Sequence, residues 1–349
     1  MMVTIGRAPV GRGAPCFLIA ELSGNHNGDL GRAVATVQAA KAAGAHAIKL
    51  QTYTPDTITI RSDRADFVVP GHGPWGGRTL HDLYQEAHTP WAWHDRLFAE
   101  AASVGLEIFS SPFDDTAVDL LESLGAPAYK IASFELVDDR LLRRVAATGK
   151  PVVVSTGMAS IEEIAHAIGV VREAGSRDLV LLKCTSSYPA PDAAMNLAAL
   201  LALATIGQCP VGLSDHSLGI VAPVVAVTLG ASVIEKHFTL DRSAGGVDSH
   251  FSLEPAEFRA MAEAVARAEA MIGTPTFGPG LAEEGSLTFR RSLYVVNDVA
   301  PGDLLTADNV RSIRPGFGLS PRYESVVIGR RAARAAERGT PVTWALIAP

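Results

Sequence analysis

The sequence predicts a (β/α)8 barrel followed by a small β-rich domain. Three observations carry that prediction. Eight short apolar runs recur over roughly the first 270 residues, Ala/Leu-rich helical stretches separate most of them, and a Gly/Pro-rich segment then ends the rhythm. In order, the runs are 17–22, 47–52, 107–111, 128–133, 151–156, 179–185, 211–215 and 233–238. The helical stretches 31–43, 116–124, 161–174 and 220–229 stop at Gly44, Gly125, Gly175 and Gly230, and Gly105 precedes the third run; glycine is the residue expected just past a helix end. A doubly wound open sheet is the alternative, but no Gly-x-Gly-x-x-Gly follows the first run. One connection breaks the rhythm: the insertion between Thr52 and Glu107 holds Trp75, Trp91 and Trp93, three of the four tryptophans. A loop of that length in a compact domain carries function or structure of its own. A helix over 255–272 closes the barrel domain, residues 1–272. Residues 273–285 read as a linker and 286–349 as the β-rich domain, with runs at 293–296 and 342–347 and a turn at 300–303.

Composition narrows the function. With 48% hydrophobic and 19% charged residues, the chain has the make-up of a well-cored globular protein rather than a disordered or fibrous one. No stretch reaches the roughly 18 apolar residues of a membrane span, and the first residues lack a signal-peptide pattern. Three cysteines are too few for a disulfide scaffold, which points to a reducing cytoplasm. The net charge of -7 disfavours bulk nucleic-acid binding; it divides into -11 over the first 285 residues and +4 over the last 64, as suits domain association or an anionic ligand.

Barrel enzymes carry their chemistry at the C-terminal ends of the strands, and nearly every such end here is polar. Only six of the 30 basic residues are lysines, and Lys49, Lys130, Lys183 and Lys236 fall in or beside the runs. A buried lysine needs an anion or a carboxylate. Lys49 and Lys130, with the hydroxyls of Ser111, Ser133, Ser155 and Ser214, form a candidate cradle for phosphate and carboxylate; internal ion pairing is the alternative. Strand parity sets Lys183 and Lys236 aside. His216 and His237 end adjacent strands with matching parity, a candidate two-nitrogen metal site with positions left for water and substrate. An oxygen-rich remainder suits Mn²⁺ or Mg²⁺. Glu21 and Glu135 are candidate acid–base groups or hydrogen-bond acceptors, or partners of the lysines. Asp248 and His250 read as members of a solvated loop that could assist.

Ile19-Ala20-Glu21, Asn25-His26-Asn27-Gly28, Lys49-Leu50-Gln51, Tyr129 to Ser133, Ser155 to Met158, Cys184-Thr185 with Tyr188-Pro189, Gly212 to His216 and Glu235 to Thr239 together resemble the sialic acid synthase family. The stretch from Val310 to Gly316, with Gly329-Arg330 and Gly339 to Val342, resembles that family's antifreeze-like (SAF) domain. The likeness runs along essentially the whole chain in order. Within the family, Trp75-Gly76-Gly77, Leu83-Tyr84 and the segment from Ala87 to His94 resemble the pseudaminic acid branch rather than the N-acetylneuraminate branch, as does Ser186, where the latter usually has Asn. Ala92 departs from the pseudaminic pattern, which usually has Glu there.

The resemblance implies a metal-dependent condensation of phosphoenolpyruvate with an N-acetylated amino sugar. Lys49, Ser111, Lys130, Ser133, Ser155, Ser186 and Ser214 would hold phosphoenolpyruvate, and His216 and His237 would hold a divalent metal, Mn²⁺ before Mg²⁺ or Co²⁺. Glu21 and Tyr188 would serve catalysis, and Glu135 and Asp248 would line the sugar site with Arg314 from a partner chain of a domain-swapped homodimer. A lysine Schiff-base aldolase and a non-catalytic glycan-binding module are the rival classes.

Overall fold

The computed structural model describes residues 1–71, 73 and 75–349, which form two compact units, Met1–Gly273 and Thr274–Pro349. In the first unit, eight parallel strands close into a barrel: β3 (Phe17–Glu21), β4 (Ala47–Thr52), β5 (Glu107–Pro112), β6 (Tyr129–Ile131), β7 (Val152–Ser155), β8 (Leu179–Cys184), β9 (Val211–Asp215) and β10 (Val233–His237), with β10 pairing back to β3. All eight expected runs are therefore strands. They read as continuous apolar runs because both faces are covered. Leu18, Ala20, Ile48, Leu50, Val154, Leu181 and Ile234 face outward into the layer shared with the helices. Phe17, Ile19, Ala47, Phe109, Ala128, Val153, Val180, Leu182 and Val233 face into the barrel.

Four of the barrel helices, Leu30–Ala42, Asp115–Ser123, Asp139–Ala146 and Ile161–Glu173, begin at side-chain caps. Asp29 accepts from Arg32 N at the start of Leu30–Ala42, and Ser160 and Glu163 form a reciprocal capping box at the start of Ile161–Glu173. Gly105, Gly125, Gly175 and Gly230 follow helix ends at φ values of 66°, 71°, 105° and 97°, left-handed geometry that glycine adopts without a Cβ penalty.

Two elements lie outside the expected pattern. At the N-terminus an antiparallel hairpin, β1 (Met2–Ile5) with β2 (Ala8–Gly11), turns over Gly6 and Arg7. Its Val3, Ile5 and Val10 join the inward-facing apolar residues, so the hairpin closes the floor of the barrel. The insertion carries its own structure. It contains the helices Pro55–Ile58 and Leu80–Ala87, short 3-10 turns at Ala65–Phe67 and Trp91–Trp93, and then the barrel helix His94–Val104. Trp91 donates its indole N–H to Tyr53 O at 3.2 Å, and Trp93 packs on the core with an edge contact to His26, so both serve packing.

The second unit pairs β11 (Ser292–Val295) antiparallel to β12 (Val310–Ile313) over a small core that includes Leu305, Val327, Val342 and Leu346. The run expected at 342–347 is not a strand. Val342 N–H bonds Leu293 O, and the chain then turns through the 3-10 segment Trp344–Leu346. Its apolar pattern serves the small core. The 3-10 segment Leu281–Phe289 spans residues read as the end of the linker and the start of the domain. No helix among the described residues is long and apolar enough to cross a membrane.

Candidate active site

Above the apolar floor, the inward positions of the same strands turn polar. Glu21, Lys49, Ser111, Lys130, Ser155, Ser214, Glu235 and His237 share the parity of the residues facing the barrel interior, and all are buried. Lys49 Nζ lies 2.9 Å from Glu21 Oε2, 3.5 Å from Glu235 Oε1 and 3.2 Å from Ser111 Oγ. Lys130 Nζ reaches both oxygens of Glu235, at 2.7 and 2.9 Å, and Ser214 Oγ donates to Glu235 Oε1 at 3.0 Å. Each buried ammonium thus has a carboxylate, which offsets desolvation that would otherwise expel it. Ion pairing, one of the two roles foreseen for the lysines, is present in the free site. Ser155 Oγ is buried without a hydrogen-bond partner among the described residues, which leaves polar capacity in the interior.

These pairings set the protonation states. Burial works to lower Lys49, but Glu21 and Glu235 outweigh it and hold the ammonium above its ordinary range. Burial dominates at Lys130 and lowers it despite Glu235. Burial also raises Glu21, with Lys49 opposing. For Glu235 the burial effect is overcome by Lys130 and Lys49, which pull its carboxyl down to about 2.

Glu235 is one of three site residues that sequence reasoning missed. The signal was available: the parity that turns Lys236 outward, to pair with Asp215, turns Glu235 inward with His237. Gln51 and Ser23 were missed as well. Gln51 Nε2 donates to Glu21 Oε1 and Ser23 Oγ, both at 3.0 Å, and Ser23 Oγ donates to Asp248. Lys183 is half-buried and donates to Cys184 O, away from the interior cluster.

Ser133 and Ser186 converge on one backbone position. Gly157 N–H donates to Ser133 Oγ at 3.1 Å, and a Cβ on Gly157 would stand 2.3 Å from Ser186 Oγ and 2.7 Å from Ser133 Oγ. Only glycine lets both hydroxyls stay where they are.

The two imidazoles end β9 and β10 with ring centroids 5.3 Å apart. His216 Nδ1 lies 3.2 Å from Thr185 O. A carbonyl can only accept, so that bond assigns the proton to Nδ1 and leaves Nε2 with a free lone pair. His237 Nδ1 is buried with no hydrogen-bond partner among the described residues, and Asp248 Oδ2 lies 3.9 Å from it. An orphaned ring nitrogen beside a second imidazole with a free lone pair fits a bound cation. Among the described residues no group of three or more His, Cys, Asp and Glu gathers as a complete ligand set, so the protein offers two nitrogens and an otherwise open coordination sphere.

The loop after β10 departs from the solvated reading. Asp248 is 8% exposed, and His250 is half-buried. Ser252 Oγ bonds Asp248 O, and Leu253 pairs with Phe238, folding the loop over the strand ends. Burial pushes the Asp248 carboxyl up, opposed by Ser23. Tyr188 lies over His216 with ring centroids 4.4 Å apart.

Glu135, on the 3-10 turn Ser133–Glu135 after β6, is half-buried, its Oε2 has no hydrogen-bond partner among the described residues, and burial lifts its carboxyl to about 7. The folded protein therefore keeps a proton that the unfolded chain releases near the ordinary value of 4.5. Stability contributed by the protonated group is present below that value and is lost as pH rises towards 7. Glu135→Gln is expected to flatten the melting temperature against pH over this window; an unchanged profile would place the proton elsewhere. Arg314 lies in the second unit, exposed, just after β12.

Residues 36–276 match the family model described as the NeuB family, and residues 290–348 match the SAF domain. A pseudaminic acid synthase from Campylobacter jejuni is 45% identical, over 93% of this chain and 94% of its own length. One from Helicobacter pylori is 41% identical, over 94% and 97%. The crystal structure of an N-acetylneuraminic acid synthetase from Leptospira borgpetersenii, in complex with citrate, superposes with a TM-score of 0.73 at 31% identity, covering 82% of this chain and 95% of that one.

Proposed function

Because the chain belongs to the NeuB family, we propose that it catalyses the condensation of phosphoenolpyruvate with 2,4-diacetamido-2,4,6-trideoxy-β-L-altropyranose and water to give pseudaminic acid and phosphate. The observation that carries this reading is what converges inside the barrel mouth. Two ammonium groups with serine hydroxyls, two adjacent imidazoles and a half-buried carboxyl stand on neighbouring strand ends.

The reaction needs three things from the protein. Phosphoenolpyruvate brings a phosphate and a carboxylate, and Lys49 and Lys130 are the cations to meet them, with Ser111, Ser133, Ser155, Ser186 and Ser214 as hydroxyl donors. Carbon C3 of phosphoenolpyruvate then bonds to the aldehyde carbon of the open-chain sugar, whose oxygen takes up a proton. Water adds at C2 and gives up a proton, the bond from C2 to the bridging ester oxygen breaks, and phosphate leaves carrying that bridging oxygen while the water oxygen remains on C2 as the ketone oxygen. A divalent ion held by His216 and His237, Mn²⁺ in preference to Mg²⁺ or Co²⁺, would supply Lewis acidity at the aldehyde oxygen. Glu135, poised near 7, can hold or move a proton at neutral pH, and Glu21, its carboxyl raised by burial and bonded by Gln51, is the second candidate acid–base group. Tyr188 and Asp248 flank the imidazoles, where the sugar would lie.

The deciding test is a substrate panel: protein, Mn²⁺ and phosphoenolpyruvate with the altrose derivative or with N-acetylmannosamine, read as phosphate release. Release with N-acetylmannosamine alone would make the enzyme an N-acetylneuraminate synthase instead. Borohydride trapping of a pyruvate adduct, insensitive to EDTA, would establish a lysine Schiff base. Retained glycan binding with no turnover on any sugar would favour a binding module.

A homodimer and a share for Arg314 in sugar binding belong to the same proposal, as does a cytoplasmic setting, which the free thiols of Cys16, Cys184 and Cys209 suit. Arg314→Ala is expected to raise the sugar KM about tenfold or more while kcat changes less, the loss of one charge-assisted contact. An unaltered KM would remove Arg314 from the site.

A further inference from the structure

Trp75 is the one tryptophan of the insertion that neither the core nor the barrel helix accounts for. A short antiparallel pairing carries it: Val68 bridges Thr79, Val69 N–H bonds Arg78 O at 2.9 Å, and Gly77 N–H bonds Val69 O at 2.9 Å. Gly77 takes φ of 78° there, a conformation that suits glycine. The pairing brings the Trp75 ring to 5.6 Å from Tyr188 and 6.1 Å from His250, centroid to centroid. Tyr188 in turn covers His216. The indole is half-buried beside the strand ends, with an aromatic partner on the site side.

The chemistry it can offer is restricted. Its only polar atom, Nε1, already donates to Val247 O at 2.8 Å. What remains is an apolar π surface. A sugar hydroxyl placed against such a surface loses water and gains no partner, whereas a methyl group gains by leaving water.

We propose that Trp75 is a specificity-determining wall of the sugar site, selecting a sugar whose distal carbon is a methyl rather than a hydroxymethyl group. The inference rests on the sugar-condensing function above and adds which part of the sugar is read. Gly76 and Gly77 let the chain turn directly behind the ring, and the bond to Val247 ties the ring to the loop that also carries Asp248. The wall and the carboxylate are therefore positioned together.

The test measures equilibrium binding by calorimetry, with no need for turnover. The probes are the 6-deoxy altrose derivative and its 6-hydroxy analogue, and the proteins are wild type, Trp75→Ala and Trp75→Phe, each first shown to be folded by its melting curve. Wild type is expected to prefer the 6-deoxy sugar by about ten- to hundredfold, the range for one small group in an apolar pocket. Trp75→Ala should erase most of that preference by weakening the 6-deoxy sugar, while Trp75→Phe, which keeps a ring but lacks the N–H, should retain it. Equal losses for both sugars in Trp75→Ala, or a loss in Trp75→Phe as large as in Trp75→Ala, would overturn the wall and make Trp75 a loop anchor. Phosphate release is read separately on wild type. A preserved binding preference without release would count against the condensation alone.

Discussion

His237→Ala is expected to abolish phosphate release, by about three orders of magnitude, and to remove bound divalent metal at the same time. The size is that of losing an electrostatic stabiliser where oxyanion charge develops. His237 contributes a ring nitrogen with no partner among the described residues, and its neighbour His216 is already oriented by Thr185 O. The described residues offer two nitrogens here, and losing either leaves a site that cannot hold the ion, so His216→Ala should behave alike. His237 packs on Phe251 at 4.7 Å between centroids, and its truncation opens a cavity. His237→Gln, which keeps most of the volume, separates the two effects. It should melt near the wild-type temperature and still lack both metal and turnover. Elemental analysis of the purified protein and a phosphate-release assay decide the matter; unchanged metal content with unchanged rate would move the ion elsewhere.

Glu235→Ala should produce the largest loss of stability of any single change in the interior, about 3–5 kcal/mol. Glu235 accepts from Lys130 at both oxygens and from Ser214, and it lies within 3.5 Å of Lys49. Removing it leaves Lys49 paired with Glu21 and deprives Lys130 of the one carboxylate it pairs with among the described residues. A bound anion can take its place, so phosphoenolpyruvate should raise the melting temperature of Glu235→Ala more than that of wild type. The acid side supplies a second reading. A carboxyl held at about 2 contributes stability above its ordinary value of 4.5, and that contribution is lost as pH falls from there towards 2. Glu235→Gln should lose less stability than wild type across that window. A Glu235→Ala protein as stable as wild type, and indifferent to phosphoenolpyruvate, would mean that the cluster is not held together by this carboxylate.

How far the sequence could be read follows from which forces leave a trace in it. Strands buried on both faces must be apolar throughout, so the eight runs stand out, and their polar ends mark the mouth. The N-terminal hairpin left a fainter trace. Val3 and Ile5 alternate with exposed residues before Gly6, but four-residue strands without a sheet to join are weak signals. The run at 342–347 was ambiguous for a different reason, because a short apolar stretch suits a strand and a tightly packed turn equally. Within the site, strand parity places the histidines and lysines, and the same alternation turns Glu235 inward with His237. Asp248 could not be placed from composition: glycines at 245 and 246 and a serine beside it describe a loop, and only the fold shows Ser23 and Ser252 drawing that loop inward.

The hairpin under the barrel also dictates traffic. With Val3, Ile5 and Val10 packed among the inward apolar residues, the N-terminal end of the barrel is stoppered by the chain's own first residues. A ligand bound for Lys49 and Lys130 therefore has the C-terminal ends of the strands as its way in.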